Sequence, residues 1–269
     1  MSGRITRAFE LAASEDRAAF IAFLTAGFPT EERFMEAALE VLEYADALEI
    51  GIPFSDPLGD GPTIQRAGEA ALKAGMTTQR VLDLARRLRE RTDKPLVLMT
   101  YYNPIFSFPG ADAGFVAAAA AARVDGVILP DLPPDEGSTL IEAAREHDLD
   151  TVFLVAPTST PERLRVVGQA CRGFVYAVSV TGVTGARASV PEAVGRLVDG
   201  ARAASGLPVA VGFGVASGAS AAPVAAMADG VVVGSALVDR LAQGQGIGEL
   251  AAEIASGVRR RRKSGAVGH

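Results

Sequence analysis

Short apolar runs recur along the chain, and longer stretches separate them in which apolar residues return every third or fourth position. The runs Ala19–Leu24, Ala47–Ile50, Leu96–Thr100, Val127–Leu129, Thr151–Val155, Phe174–Val178, Val209–Val211 and Val231–Val233 predict eight short buried strands. The periodic stretches predict helices over Glu31–Tyr44, Thr78–Arg91, Ala113–Ala122, Pro134–His147, Pro161–Cys171, Glu192–Ala204, Ala219–Ala226 and from about Ile247 to Arg262. A further helix at Arg4–Ala13 precedes the first strand, and a short one at Ala236–Leu241 follows the eighth.

Several boundaries have local causes. Thr30 precedes Glu31 and Glu32, which reads as an N-cap with acids in the first turn. Pro161 follows Thr160 at a first helical position, where its missing N–H costs nothing. Gly173 and Gly206 follow helices and suit left-handed C-terminal positions. Strands alternating with helices predict right-handed βαβ units and a parallel sheet. Eight such units favour closure into a (β/α)8 TIM barrel over one domain, residues 1–269, with a basic tail over 259–269. An open doubly wound sheet is the alternative. Against it, the first strand-to-helix turn, Thr25 to Thr30, lacks the G-x-G-x-x-G fingerprint of dinucleotide sites.

Composition narrows the chemistry more than the fold. With 49% apolar residues the 269-residue chain can build a sizeable core, and no apolar run reaches the roughly 20 residues of a membrane span. The polar N-terminus lacks a signal-peptide core, and Cys171 stands alone, which together predict a cytoplasmic protein. A net charge of −6 argues against nucleic acid as a partner, and the run Arg259–Lys263 reads as a helix end followed by a frayed tail. The two histidines, His147 and His269, have no partner at ligand spacing, so no metal is expected. Of the lysines, Lys94 should sit at the N-terminal face of a barrel, Lys73 in a helix and Lys263 in the tail, which leaves no Schiff-base candidate.

In such a barrel the chemistry belongs at the C-terminal ends of the strands. Glu49 ends the second strand between Leu48 and Ile50, where desolvation would raise its pKa and make it a proton donor near neutrality. A structural hydrogen bond is the competing role. Asp56 and Asp60 lie on the Gly- and Pro-rich loop that follows, and spacing alone does not choose between them. Gly212, Gly214 and Gly234-Ser235 put bare amides at the last two strand ends. A short helix opening at Ser235 would hold a phosphate there without help from Lys or Arg.

The strand ends together resemble a known family. The string Leu48-Glu49-Ile50-Gly51-Ile52-Pro53-Phe54-Ser55-Asp56-Pro57, continued by Asp60-Gly61-Pro62-Thr63-Ile64-Gln65, is similar to the signature of tryptophan synthase alpha subunits. The motifs Leu24–Gly27, Tyr101–Pro104, Asp131–Pro133, Ser179–Gly185, Gly212–Gly214 and Gly234-Ser235 extend the resemblance over nearly the whole chain. It implies a lyase that cleaves indole-3-glycerol phosphate into indole and glyceraldehyde 3-phosphate. Glu49 would transfer protons, Asp60 would bind the indole N–H, and Tyr176 would line the same pocket. It further implies an indole pocket of Phe23, Met99, Tyr101, Ile128 and Phe213, and a phosphate site of Gly185, Gly214, Gly234 and Ser235. Thr184 would contact Asp60 on loop closure. Asp56 and Pro57 would face a beta subunit, which carries pyridoxal phosphate in an expected α2β2 heterotetramer, whereas this chain would need no cofactor. Gly59, Val180 and the arginine-rich tail depart from the family pattern. Two other readings stay open: another phosphosugar barrel such as an isomerase, and a mainly regulatory module for the beta subunit.

Overall fold

The computed structural model describes residues 3–178, 190–212 and 214–259. In chain order the elements are α1 (Arg4–Ser14), β1 (Ala19–Thr25), α2 (Glu31–Leu42), β2 (Ala47–Gly51), α3 (Pro62–Lys73), α4 (Thr78–Arg89), β3 (Leu96–Met99) and α5 (Tyr102–Phe106). They continue with α6 (Ala111–Ala121), β4 (Gly126–Leu129), α7 (Ser138–Glu146), β5 (Asp150–Val155), α8 (Pro161–Ala170), β6 (Val175–Val178) and α9 (Val190–Ser205). The chain then forms β7 (Val209–Gly212), α10 (Gly218–Ala225), β8 (Gly230–Val233), α11 (Ser235–Ala242) and α12 (Gly248–Gly257). The strands pair in sequence order, all parallel, and β8 returns to β1 to close the barrel.

Alternation along each strand divides the core in two. Phe20, Ala22 and Leu24 of β1, Leu48 and Ile50 of β2, and Val231 and Val233 of β8 face the surrounding helices. Ala19 and Ile21, Ala47, Val97, Ile128, Val152, Tyr176, Ala210 and Val232 fill the interior instead. Helix α1 plugs the N-terminal end of that interior. Its Ile5, Phe9 and Ala12 join the inner cluster, and the Phe9 ring lies 5.4 Å from that of Phe174. Gly126 and Gly230 leave room for the plug, since a Cβ on either would come within 3.0 Å of Ile5 or Phe9.

The local signals hold where they were local. Thr30 and Thr160 each accept the amide three residues on, from Arg33 and Arg163, at 3.2 Å. Gly173 and Gly206 adopt φ of 81° and 69°. Four elements depart most from expectation. Helix α7 starts at Ser138 because Pro134 restricts Pro133 and the chain turns first, with the Glu136 amide on the Pro133 carbonyl. Helix α3 begins on Pro62 and α5 fills what reads as a loop, its first amide held by Asp131 across 29 residues. Helix α12 ends at Gly257, and of the basic run only Arg259 lies within the described residues, paired with Arg17 in a β-bridge.

The N-terminal face is tied together by charge. Asp125 receives Arg4 at 2.9 Å, Arg89 at 2.6 Å and the Leu96 amide at 2.8 Å, and the Arg89 side chain is only 1% exposed. The Lys94 ammonium donates to the carbonyls of Leu42 and Ala45, the stability role expected of its position. Asp125→Ala therefore strands a buried guanidinium and should cost roughly 3–5 kcal/mol in urea unfolding. A loss under 1 kcal/mol would remove Asp125 from this role.

Candidate active site

Glu49 sits in the barrel interior because β2 turns Ala47, Glu49 and Gly51 inward and Leu48 and Ile50 outward. Its desolvation thus comes from the interior rather than from its sequence neighbours. Phe23 on β1 and Val97 on β3 stand in register with it. Glu49 is 0% exposed, and among the described residues neither carboxyl oxygen has a hydrogen-bond partner. Burial, and then the charge of Asp60, push its pKa up to about 8, so it holds its proton at pH 7. One level nearer the mouth, Gly51 leaves β2 without a side chain. A Cβ there would lie 2.5 Å from the Phe23 ring, so that ring depends on the glycine.

The structure separates the two loop aspartates. Asp56 is exposed and accepts the Ser55 hydroxyl at 2.8 Å, whereas Asp60 lines the cavity at the barrel mouth. A turn with the Asp60 amide on the Pro57 carbonyl, at 3.1 Å, shapes the loop. The Gly59 amide donates to the Tyr101 hydroxyl at 2.9 Å, which sets that phenol beside the Asp60 carboxyl. Burial raises the Asp60 pKa to about 6 against the lowering effect of Tyr101, so Asp60 is mostly ionised at pH 7. Burial and the nearby Asp60 carboxylate push the Tyr101 phenol well up, so it stays a donor.

The wall of the cavity includes Phe23, Met99, Tyr101 and Ile64, an apolar lining around the Asp60 carboxyl. Ile128 and Tyr176 belong to the interior cluster below it. Burial, Glu49 and Asp60 all raise the Tyr176 phenol, which brings these three groups together. Gly212 backs the Tyr176 ring so closely that a Cβ would meet its hydroxyl at 2.4 Å. Thr25 escaped the sequence reading. It is 3% exposed, lines the cavity, and its hydroxyl has no partner among the described residues. The available signal was its place two residues after Phe23, on the same inward face of β1.

At the far side of Phe23, α11 opens on Ser235 with Gly234 as its N-cap. The amides of Leu237 and Val238 go to the Gly234 carbonyl, while the amides of Ser235 and Ala236 precede any acceptor in the helix. Such an end favours an anion. A Cβ on Gly234 would lie 3.0 Å from Phe23, so this end abuts the pocket wall directly. Gly214 has φ of +40° with open space around it. Thr184, Gly185 and Phe213 lie outside the described residues, as does Val180. Among the described residues, no cluster of His, Cys, Asp and Glu could hold a metal ion, and no helix is long and apolar enough to cross a membrane.

The model of the family described as tryptophan synthase alpha chain matches residues 9–264. A tryptophan synthase alpha chain from Deinococcus radiodurans is 54% identical over 259 residues, covering 96% of this chain and 95% of that protein. One from a Picosynechococcus species is 49% identical over 229 residues, covering 84% and 86%. Among solved structures, tryptophan synthase from M. tuberculosis, in an open form, superposes with a TM-score of 0.88 at 41% identity, covering 97% of this chain and 100% of that one. With the acid-lined barrel mouth already in place, this match leaves one assignment: the chain belongs to the tryptophan synthase alpha chain family.

Proposed function

We propose the following division of labour for the family's reaction, the retro-aldol cleavage of indole-3-glycerol phosphate to indole and glyceraldehyde 3-phosphate. Glu49 delivers its proton to the indole C3 carbon, which makes the ring an electron sink. Positive charge then develops on the ring nitrogen, where ionised Asp60 accepts the N–H and stabilises that charge in a dry site. The glycerol hydroxyl next to C3 loses its proton to the Glu49 carboxylate, its oxygen becomes the aldehyde, and the electrons of the broken carbon–carbon bond restore the aromatic ring. Tyr176 lines the same space as a secondary proton-handling group. The indole rests against Phe23, Met99, Tyr101, Ile128 and Phe213, and the phosphate against Gly185, Gly214, Gly234 and Ser235. Thr184 closes over Asp60.

The observation that carries this reading is the fully buried Glu49 with both oxygens unpartnered, facing a second carboxylate of opposite protonation. A structural glutamate would be hydrogen-bonded. Cleavage needs no cofactor on this chain, because the ring itself takes up the electrons. The partner is the beta subunit, to which pyridoxal phosphate belongs, and we place the α2β2 assembly in the cytoplasm. The chain works as one barrel domain, with Asp56 and Pro57 on the face toward the partner.

Glu49→Gln should lower turnover by roughly 10²–10⁴-fold while binding of glyceraldehyde 3-phosphate stays nearly unchanged. Near wild-type indole release in that variant would exclude Glu49 as the proton donor. The pH profile of kcat/KM should be bell-shaped, rising through about 6 as Asp60 ionises and falling through about 8 as Glu49 loses its proton. Asp60→Asn should shift the alkaline limb downward, since the charge that raises Glu49 is gone; a fixed limb would contradict the pairing. Stability carries the same signature. The folded-state pKa of Glu49, about 8, exceeds its ordinary 4.5, so its contribution is full below 4.5 and is lost as pH rises through 8. Urea unfolding at pH 5 and pH 9 should therefore show Glu49→Gln gaining on wild type by on the order of 4 kcal/mol. Parallel curves would show that the carboxyl is not desolvated.

A further inference from the structure

The loop that presents Asp60 is held from outside itself. The Tyr101 hydroxyl takes the Gly59 amide at 2.9 Å, and Tyr101 is the residue that directly precedes α5. Its φ and ψ are −70° and 161°, an N-cap conformation, yet its side chain makes no cap hydrogen bond. The phenol is committed to the loop instead. The cap comes from the next βα unit: Asp131, two residues beyond β4, accepts the Tyr102 amide with both carboxylate oxygens, at 2.9 and 3.2 Å. Helix α5 spans five residues, and so short a helix does not hold its own first turn, because nucleation is unfavourable without outside support. A carboxylate on the first amides supplies that support.

We infer that Asp131 is a positioning residue for the cleavage: by clamping the Tyr102 amide it fixes the direction of Tyr101, whose hydroxyl holds the loop that carries Asp60. The chain of contacts runs from the end of β4, through the end of β3, to the loop after β2. Among the described residues the titratable groups that interact with Asp60 are Glu49 from β2, Tyr101 after β3 and Tyr176 from β6. Asp131 acts on Asp60 only through Tyr101, and its own charge helps keep that phenol protonated. The inference rests on the reading of Asp60 as the carboxylate at the ring nitrogen.

The test uses the full chain and reads the Asp60 carboxyl by carbon NMR without substrate, beside the pH profile of indole release. In Asp131→Ala the Tyr101 hydroxyl loses its place beside Asp60, so the Asp60 titration should move up by about one unit and the acid limb of kcat/KM should move with it. Turnover should drop about tenfold, the worth of one hydrogen bond at a charged group. Asp131→Asn keeps an acceptor and should recover most of the loss. Tyr101→Phe should reproduce the Asp60 shift, and adding Asp131→Ala to it should shift Asp60 no further. An unmoved Asp60 titration in Asp131→Ala, or additive shifts in the double variant, would overturn the inference. If Asp131→Ala does not fold, Asp131→Ser, too short to reach the Tyr102 amide, takes its place in the same double-variant comparison: no added shift supports the chain of contacts, and an added shift overturns it. Full turnover in Asp60→Asn would instead remove the assigned role of Asp60, and the NMR shift would still report on Asp131.

Discussion

A protonated carboxyl without a partner, in the middle of a closed barrel, is the constraint around which this molecule is arranged. Leaving Glu49 dry and unpaired works against folding, because a buried polar group without a hydrogen bond costs on the order of 1–3 kcal/mol. The barrel tolerates it because the rest of the interior is apolar and closely filled, from the α1 plug up to Tyr176. The cost has a chemical use. An acid kept protonated near neutrality is a donor, and the neighbouring Asp60, less buried and lowered by the Tyr101 phenol, stays mostly ionised. Two carboxyls of similar intrinsic strength thereby take opposite roles through their surroundings.

Those surroundings are assembled from several βα units. Phe23 from β1 sits between Gly51 and Gly234, so one ring forms the wall between the mouth cavity and the N-terminal end of α11. Tyr101 from the third unit grips the loop of the second, and Asp131 from the fourth grips the third. Two successive mouth loops are thus each oriented by the unit that follows, which ties separate loops into one site.

This dependence on neighbours explains what could be read from the chain. Thr30, Thr160, Gly173 and Gly206 were legible because capping and left-handed turns are settled within a few residues. Glu49 was legible because an acid at a buried strand end is rare, although the residues that dry it are Phe23 and Val97 across the sheet rather than Leu48 and Ile50 beside it. Asp56 and Asp60 were indistinguishable because the contact that separates them comes from Tyr101, about forty residues away. The start of α5 stayed hidden for the same reason, its cap being supplied by Asp131. Thr25 was passed over because threonine is an ordinary strand residue, and only its unpartnered hydroxyl marks it.

The plug formed by α1 has a consequence for traffic. With Ile5, Phe9 and Ala12 packed into the bottom of the barrel, the described residues close that end. Whatever enters as a large anion and whatever departs as a small neutral ring must pass the same rim. That rim also presents Leu58, 95% exposed on the Asp60 loop. A second protein seated there would stand in the doorway itself, and it would receive the departing ring before bulk water could.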